Sequence, residues 1–187
     1  MKIFHMARLM ALSFLVGACA GATIVTNLSY DKNGLPSIVQ YVALDRDFRT
    51  EIHGNPSGGS KAAFDAAVIA ALPGHANGLP TNFTTAPSET ARDGYRLVLV
   101  FGGGRYGGAR WICRDVDSGS LKPVAGRVEV QATFCYRDET LSSLTVSYAP
   151  GPSMLGDAMG QVSLNLFPRV DDRDHCNDDN KRLLNIC

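Results

Sequence analysis

The sequence predicts an α+β domain with an antiparallel sheet of four to six strands, two amphipathic helices and disulfide staples. Three observations support this fold class. Apolar and polar residues alternate at the two-residue period of strands in several segments. Two other segments carry apolar residues at helical spacing. The chain has 187 residues and five cysteines, a length that fits one domain with a sizeable core.

The first 18 residues are typical of a secretory signal peptide. Lys2 and Arg8 form a short basic front, and the apolar run Leu9–Val16 that follows is too short to span a bilayer. A stretch of small residues comes next. The sequence therefore predicts export from the cytosol.

Two cleavage sites are compatible with this leader. The stretch VGAC, which ends at Cys19, resembles the bacterial lipobox, in which the cysteine thiol receives diacylglycerol and the cysteine becomes the new N-terminus. The rival is the A-x-A-like stretch ACA, which would release a soluble periplasmic or secreted protein beginning at Gly21. The position of the cysteine favours lipidation, and Ala20 after it is typical of lipoproteins sent to the outer membrane. We expect residues 1–18 to be the signal peptide and residues 19–36 to be a lipidated N-terminus and tether.

The α+β domain is predicted to span residues 37–170. Its first run, Ser37–Gly54, is rich in β-branched and aromatic residues and predicts one long bent strand or two short ones. Ser60 fits the N-cap of a helix that ends near Leu72. Apolar residues within this helix recur at i, i+4, i+7 and i+8, so we expect one buried stripe.

The second half of the domain predicts more strands and a second helix. Tyr95–Phe101 is almost wholly apolar, which indicates a central strand buried on both faces. Val128–Tyr136 alternates cleanly and predicts a half-buried antiparallel strand, and Leu144–Tyr148 repeats that period. Met154–Leu166 carries the second amphipathic stripe.

Four cysteines follow the leader, and in an exported chain they predict disulfides before metal ligands. Cys113 and Cys135 lie in two strand-like runs, RWICR and VQATFCYR, which we expect to face each other across a hairpin. Cys176 and Cys187 would then close a small loop near the C-terminus. Three connectivities remain open on the sequence alone.

The stretch FGGGRYGG has the G-x-G-x-x-G spacing of dinucleotide-binding loops directly after a predicted strand. That fingerprint needs a helix next, whose N-terminus holds the pyrophosphate, whereas the following residues predict a strand. A hairpin loop is the favoured interpretation, and no cofactor is predicted. Arg105, Tyr106 and Arg110 form a candidate contact surface on this loop.

The acidic tail, residues 171–187, contains DDRDHCNDDN but lacks the order of an EF-hand, so no metal is predicted. No G-x-S-x-G, S-x-x-K or H-E-x-x-H motif occurs. The run Asp45–His53 places five charged or titratable side chains on one strand face: Asp45, Asp47, Arg49, Glu51 and His53. A solvated sheet face is the favoured interpretation, and no catalytic residue is assigned. A small hydrolase-like periplasmic enzyme that uses this face is the alternative.

The charge balance excludes the class of strongly basic proteins that bind nucleic acid. The full chain has 18 basic and 18 acidic residues, and removal of the leader takes away Lys2 and Arg8 but no acidic residue. The mature chain would therefore be slightly acidic, which gives no reason to expect nucleic acid as a partner.

The lipobox-like leader, the tether, the small α+β domain and the stretch FCYRDETLS together resemble the small lipoproteins of the Gram-negative bacterial envelope. The resemblance implies a lipid anchor in the outer membrane, with the domain facing the periplasm, and it implies no reaction. We therefore expect a domain that binds or scaffolds an envelope protein or component.

Overall fold

The computed structural model describes residues 23–30, 35–102, 109–116 and 125–167. Within these ranges the chain forms one sheet and four helical segments. The strands, in chain order β1 to β7, are Ile24–Tyr30, Arg46–His53, His75–Ala76, Leu79–Thr84, Tyr95–Phe101, Val128–Tyr136 and Glu139–Tyr148. The helices, α1 to α4, are Leu35–Ala43, Lys61–Ala71, Ala109–Ile112 and Pro152–Leu166.

The sheet has seven strands in the order β1-β7-β6-β5-β2-β4-β3. The predicted antiparallel sheet of four to six strands is therefore wrong, because β2 runs parallel to both β4 and β5. Parallel neighbours need a crossover connection, and α2 supplies one between β2 and β4. The α+β class and the disulfide staple are confirmed.

The extra helix α1 and the strand β2 share the run predicted to be strand throughout. Val39 and Val42 are buried in α1, whereas Phe48 and Ile52 are buried in β2. The two buried residues of α1 are three positions apart, whereas those of β2 are four apart, a spacing that fits a helix as well as a strand. The spacing alone therefore did not separate the two elements, and the β-branched composition of the run favoured a strand throughout.

Strand β1 lies inside the segment that the sequence predicted to be a tether. It pairs antiparallel with β7 from Ile24 opposite Ser147 to Tyr30 opposite Ser142. Asn27 has a φ of 54°, at a register shift between Thr26 and Ser29. The alternation of apolar and polar residues is weak here, which is why the strand was not predicted.

One face of the sheet carries the main core beneath α1, α2 and α4. Phe48 of β2 packs against Phe83, Phe134 and Phe167, with ring centroids 5.4–5.5 Å apart. The predicted helices are confirmed at α2 and α4, and the Ser60 hydroxyl accepts a hydrogen bond from the backbone N–H of Ala63.

The second face is covered by the segment that contains α3. Val98 and Val100 of β5 pack with Ile112, Cys113 and Cys135. The prediction that RWICR is a strand is wrong, since Ala109–Ile112 is a single helical turn. Ile112 and Cys113 are both buried although they are consecutive, which suits a turn rather than an alternating strand.

The two ends of the sheet carry different loops. The proximal end is where β1 begins, and it carries the loops 54–60, 125–127 and 149–151. The distal end carries the loop 85–94 and the β6–β7 turn at residues 137–138. Strand β7 runs from one end to the other, about 27 Å between residues 139 and 147 at the usual rise per residue. No helix in the described ranges is long and apolar enough to span a membrane.

Candidate functional site: an arginine–tyrosine surface at the distal end

Five side chains form a continuous strip at the distal end, which we call the arginine–tyrosine ladder. In spatial order they are Arg92, Tyr41, Tyr95, Tyr136 and Arg137. The Arg92 guanidinium carbon lies 4.2 Å from the Tyr41 ring centroid, and the Tyr41 and Tyr95 centroids are 6.3 Å apart. Tyr95 and Tyr136 lie 4.5 Å apart, and the Arg137 guanidinium carbon is 5.3 Å from the Tyr136 centroid.

Strand register and one glycine explain how the ladder assembles. Tyr95 and Tyr136 are direct partners across β5 and β6, so their side chains lie on the same face. Gly94, with a φ of 80°, accepts a hydrogen bond from the backbone N–H of Arg137 at 2.7 Å. A Cβ atom at position 94 would lie 3.2 Å from both Arg137 Cγ and Tyr136 Cε2. Glycine therefore allows the loop to approach the turn closely.

The ladder is accessible and rich in hydrogen-bond donors. Tyr41 is 53% exposed, and Tyr95 and Tyr136 are half-buried. Burial raises the pKa of Tyr95, and the neighbouring Tyr136 and Tyr41 raise it further. The Tyr95 hydroxyl therefore stays protonated at neutral pH and can donate a hydrogen bond.

Neither guanidinium of the ladder has a carboxylate within 4.0 Å among the described residues. Asp93 and Asp138 follow the two arginines directly in the sequence, yet neither forms that ion pair. The Nε atom of Arg92 is buried and has no hydrogen-bond partner in the described part of the chain. The two cations are thus held by tyrosine rings, through cation–π attraction.

A second arginine network supports the ladder from the other face of the sheet. Arg96 Nε lies 3.2 Å from Glu51 Oε2, and the same guanidinium donates hydrogen bonds to the carbonyl oxygens of Arg137 and Cys113. Cys113 is bonded to Cys135, with the Cα atoms 5.6 Å apart. The network therefore ties the β6–β7 turn to the disulfide.

The disulfide between Cys113 and Cys135 confirms one of the predicted pairings. Cys19, Cys176 and Cys187 lie outside the described residues, as do Arg105 and Tyr106 of the predicted contact surface. Arg110 belongs to α3, but its side chain is outside the described part of the structure.

The polar run Asp45–His53 does not converge on one point. Asp47 and His53 are six residues apart on β2, about 20 Å at the usual rise. Asp47 Oδ1 accepts from the Asn82 amide, and its Oδ2 accepts from the Ser88 backbone N–H. That Ser88 bond, followed by those from the Asn82 and Ser88 side chains, lowers the pKa of Asp47.

Asp47 lies in a shallow open depression of about 420 Å³. The depression is lined by Asp45, Arg46, Asp47, Pro80, Thr81, Asn82, Ser88 and Thr90. Because the Asp47 carboxylate is engaged by loop 85–94, its evident role is to order that loop. Within the described residues, no group of three or more His, Cys, Asp or Glu side chains is arranged to hold a metal ion.

Comparisons with known proteins give only distant structural likeness. No family model matches the chain, and no curated protein matches it. Among solved structures, a dodecamer of a PelC variant from Paraburkholderia phytofirmans is similar, with a TM-score of 0.43 and 15% identity. The match covers 79% of this chain and 99% of that one.

Sequence reasoning missed the ladder because its residues come from three stretches that lie far apart in the chain. Tyr41 was assigned to a strand, and Arg92 to a loose segment without a role. The one available signal was that Tyr95 begins one predicted strand and Tyr136 ends another. Antiparallel pairing of these two strands brings the rings together, but the sequence did not predict that the strands are neighbours.

Proposed function

We propose that this chain is a lipid-anchored protein of the bacterial envelope whose folded domain binds a protein partner through the arginine–tyrosine ladder. The anchor is diacylglycerol on Cys19, and the membrane is the outer membrane, with the domain in the periplasm. The binding role is non-catalytic.

The compartment is supported by two independent features. The leader has the composition of an export signal, and the folded domain contains the Cys113–Cys135 disulfide. Structural disulfides persist in oxidising compartments such as the periplasm and are rare in the cytosol.

The observation that carries the binding proposal is the pair of arginines held on tyrosine rings, with no carboxylate partner in the described part of the chain. Tyrosine and arginine are enriched in protein interfaces and dominate their energetic hot spots. The stacking already orders both guanidiniums, so less side-chain entropy is lost when a partner binds.

The chemistry of the ladder defines what the partner offers. Guanidinium groups only donate hydrogen bonds, and protonated phenols can donate them as well. A complementary protein surface presents carboxylates or backbone carbonyl oxygens. A guanidinium lies over Tyr41 and another over Tyr136, and both rings also contact Tyr95. This leaves less open ring surface for stacking on a sugar and favours a protein partner over a glycan.

The hydrolase alternative has no comparable support. Asp47 is engaged by loop 85–94, and Glu51 forms an ion pair with Arg96. The distance along β2 between Asp47 and His53 prevents both side chains from acting on one substrate atom.

Affinity capture from detergent-solubilised envelopes tests the proposal. The wild-type chain should recover the same protein repeatedly, and Tyr41→Ala should lose it. The matched control is Leu164→Ala, which removes an exposed apolar side chain from α4 and leaves the ladder unchanged. This variant should retain the captured protein. Cys19→Ser should lose membrane association, and the mature wild-type N-terminus should have the mass of a lipidated cysteine. Loss of the captured protein in both alanine variants, or in neither, contradicts the ladder as the binding surface. A mature chain beginning at Gly21 contradicts the anchor.

A further inference from the structure

We infer that the proximal end of the domain lies against the lipid headgroups of its membrane, so that the ladder faces away from the bilayer. This inference rests on the proposed lipidation of Cys19. It adds a second interaction surface, whose partner is the membrane itself.

The short connection to the anchor is the first argument. Only residues 20–23 separate Cys19 from the start of β1 at Ile24. Even a fully extended chain spans at most about 17 Å over these five steps. The sheet is longer than this connection, because β7 covers about 27 Å between its distal and proximal ends. The anchor therefore holds the proximal end near the bilayer.

The distribution of charge is the second argument. In the described residues of the proximal loops, 54–60, 102, 125–127 and 149–151, there is no Asp or Glu, and Arg127 is the one formally charged side chain. The distal loops and the turn before β2 hold four carboxylates, Asp45, Glu89, Asp93 and Asp138, against the two arginines of the ladder, Arg92 and Arg137, so that they carry a net negative charge. A bilayer with anionic lipid repels carboxylates within roughly a Debye length, about 8 Å at physiological salt. Among the described residues, the proximal loops, which hold no carboxylate, are the ones that such a surface tolerates.

The exposed groups at the proximal end also suit the headgroup region. Ile24, the first residue of β1, is 46% exposed, and Pro150 of the loop 149–151 and Pro152 at the start of α4 are exposed as well. These side chains are small or apolar and carry no charge. The tyrosines of the ladder are all at the other end, where they are presented to the periplasm.

Energy transfer from single tryptophans to labelled lipid tests this orientation. The lipidated full chain is reconstituted into vesicles of phosphatidylethanolamine and phosphatidylglycerol that contain headgroup-dansylated lipid. The natural Trp111 is replaced in a W111F background. Ser153→Trp then places the donor at the proximal end, and Asp138→Trp places it at the distal end; both original residues are exposed.

We expect transfer severalfold stronger from the proximal tryptophan than from the distal one. Equal transfer, or stronger transfer from the distal site, overturns the orientation and leaves the anchor intact. Transfer no stronger than in a Cys19→Ser control overturns the anchor as well. Hydrogen exchange on the wild-type chain gives an answer without the tryptophan variants. Residues 149–153 should gain protection on vesicles and residues 85–94 should not; the reverse pattern also overturns the inference.

Discussion

The guanidinium carbon of Arg92 lies 4.2 Å from the centre of the Tyr41 ring, although Asp93 is its immediate neighbour in the chain. The cation is thus paired with an aromatic face, while no carboxylate of the described residues lies within ion-pair distance. Arg137 repeats this arrangement on Tyr136 at the other end of the ladder. A partner that supplies acceptor groups would satisfy two cations whose positions are already fixed.

Replacing Arg92 with alanine should weaken partner binding about tenfold, which corresponds to about 1.4 kcal/mol. The folded domain should lose little stability, since a partly exposed cation–π contact is worth about 0.5–1 kcal/mol. The dissociation constant for the captured partner and the thermal midpoint are the two measurements. Arg49→Ala is the control, because it removes an exposed arginine outside the ladder. Equal weakening by both variants would indicate a general charge effect instead.

Removing the disulfide should cost about 3 kcal/mol of unfolding free energy, because Cys113 and Cys135 close a loop of 22 residues. The Cys113→Ser/Cys135→Ser double variant and the wild type are compared by urea denaturation with and without reductant. A Cys176→Ser/Cys187→Ser variant isolates the described disulfide. Its stability should fall when reductant is added, whereas that of a variant with serine at all four of these positions should not. Insensitivity of the second variant to reductant would contradict the bond.

Phe134→Ala should destabilise the domain by about 3–5 kcal/mol. The Phe134 side chain is 0% exposed and contacts the rings of Phe48, Tyr95 and Phe167, so its removal leaves a cavity at the centre of the core. Leu164→Ala should change the unfolding free energy by no more than about 0.5 kcal/mol, because that side chain is 55% exposed. Chemical denaturation measures both. A similar cost for the two variants would show that the core is packed differently.

The stability contributed by Asp47 should disappear in acid. The Ser88 backbone N–H, then the Asn82 and Ser88 side chains, hold the pKa of Asp47 below its ordinary value of 3.8. A carboxylate with a lowered folded-state pKa stabilises the fold above the unfolded pKa, and this contribution is lost as the pH falls through the folded pKa. Asp47→Asn should therefore be less stable than wild type at pH 7, and the gap should close below about pH 4.

Thermal unfolding between pH 2 and 7 measures that gap. Glu89→Gln removes an exposed carboxylate from the same loop and should follow the wild-type curve. A gap between Asp47→Asn and wild type that stays constant down to pH 2 would mean that ionised Asp47 does not order loop 85–94.

Local patterns in the sequence predicted the elements whose periodicity is strong. The strand Val128–Tyr136 and the helical stripe around Phe64 and Val68 are confirmed, because each depends on the pattern within one element. The predicted half-burial of that strand is wrong, since Thr133 and Cys135 on its other face are buried as well. The helix α1 was missed, since its β-branched residues favour strands in isolation and tertiary packing overrides that preference.

Long-range relationships could not be predicted in the same way. The parallel pairing of β2 with β5, from Thr50 opposite Leu97, depends on the crossover connection and leaves no local signal. The ladder likewise needs the register between β5 and β6 and the position of α1. Only the Cys113–Cys135 pair was anticipated, because cysteine chemistry limits the partners to very few residues.

Site-specific photocrosslinking in intact cells shows whether the arginine–tyrosine ladder contacts a protein. A photoreactive phenylalanine analogue is placed at position 41 of the ladder and, as a control, at position 164 on α4. We expect one protease-sensitive crosslinked species from position 41 and none from position 164. The same species from both positions, or a protease-resistant glycan or lipid adduct at position 41, would show that the ladder is not a protein-binding surface.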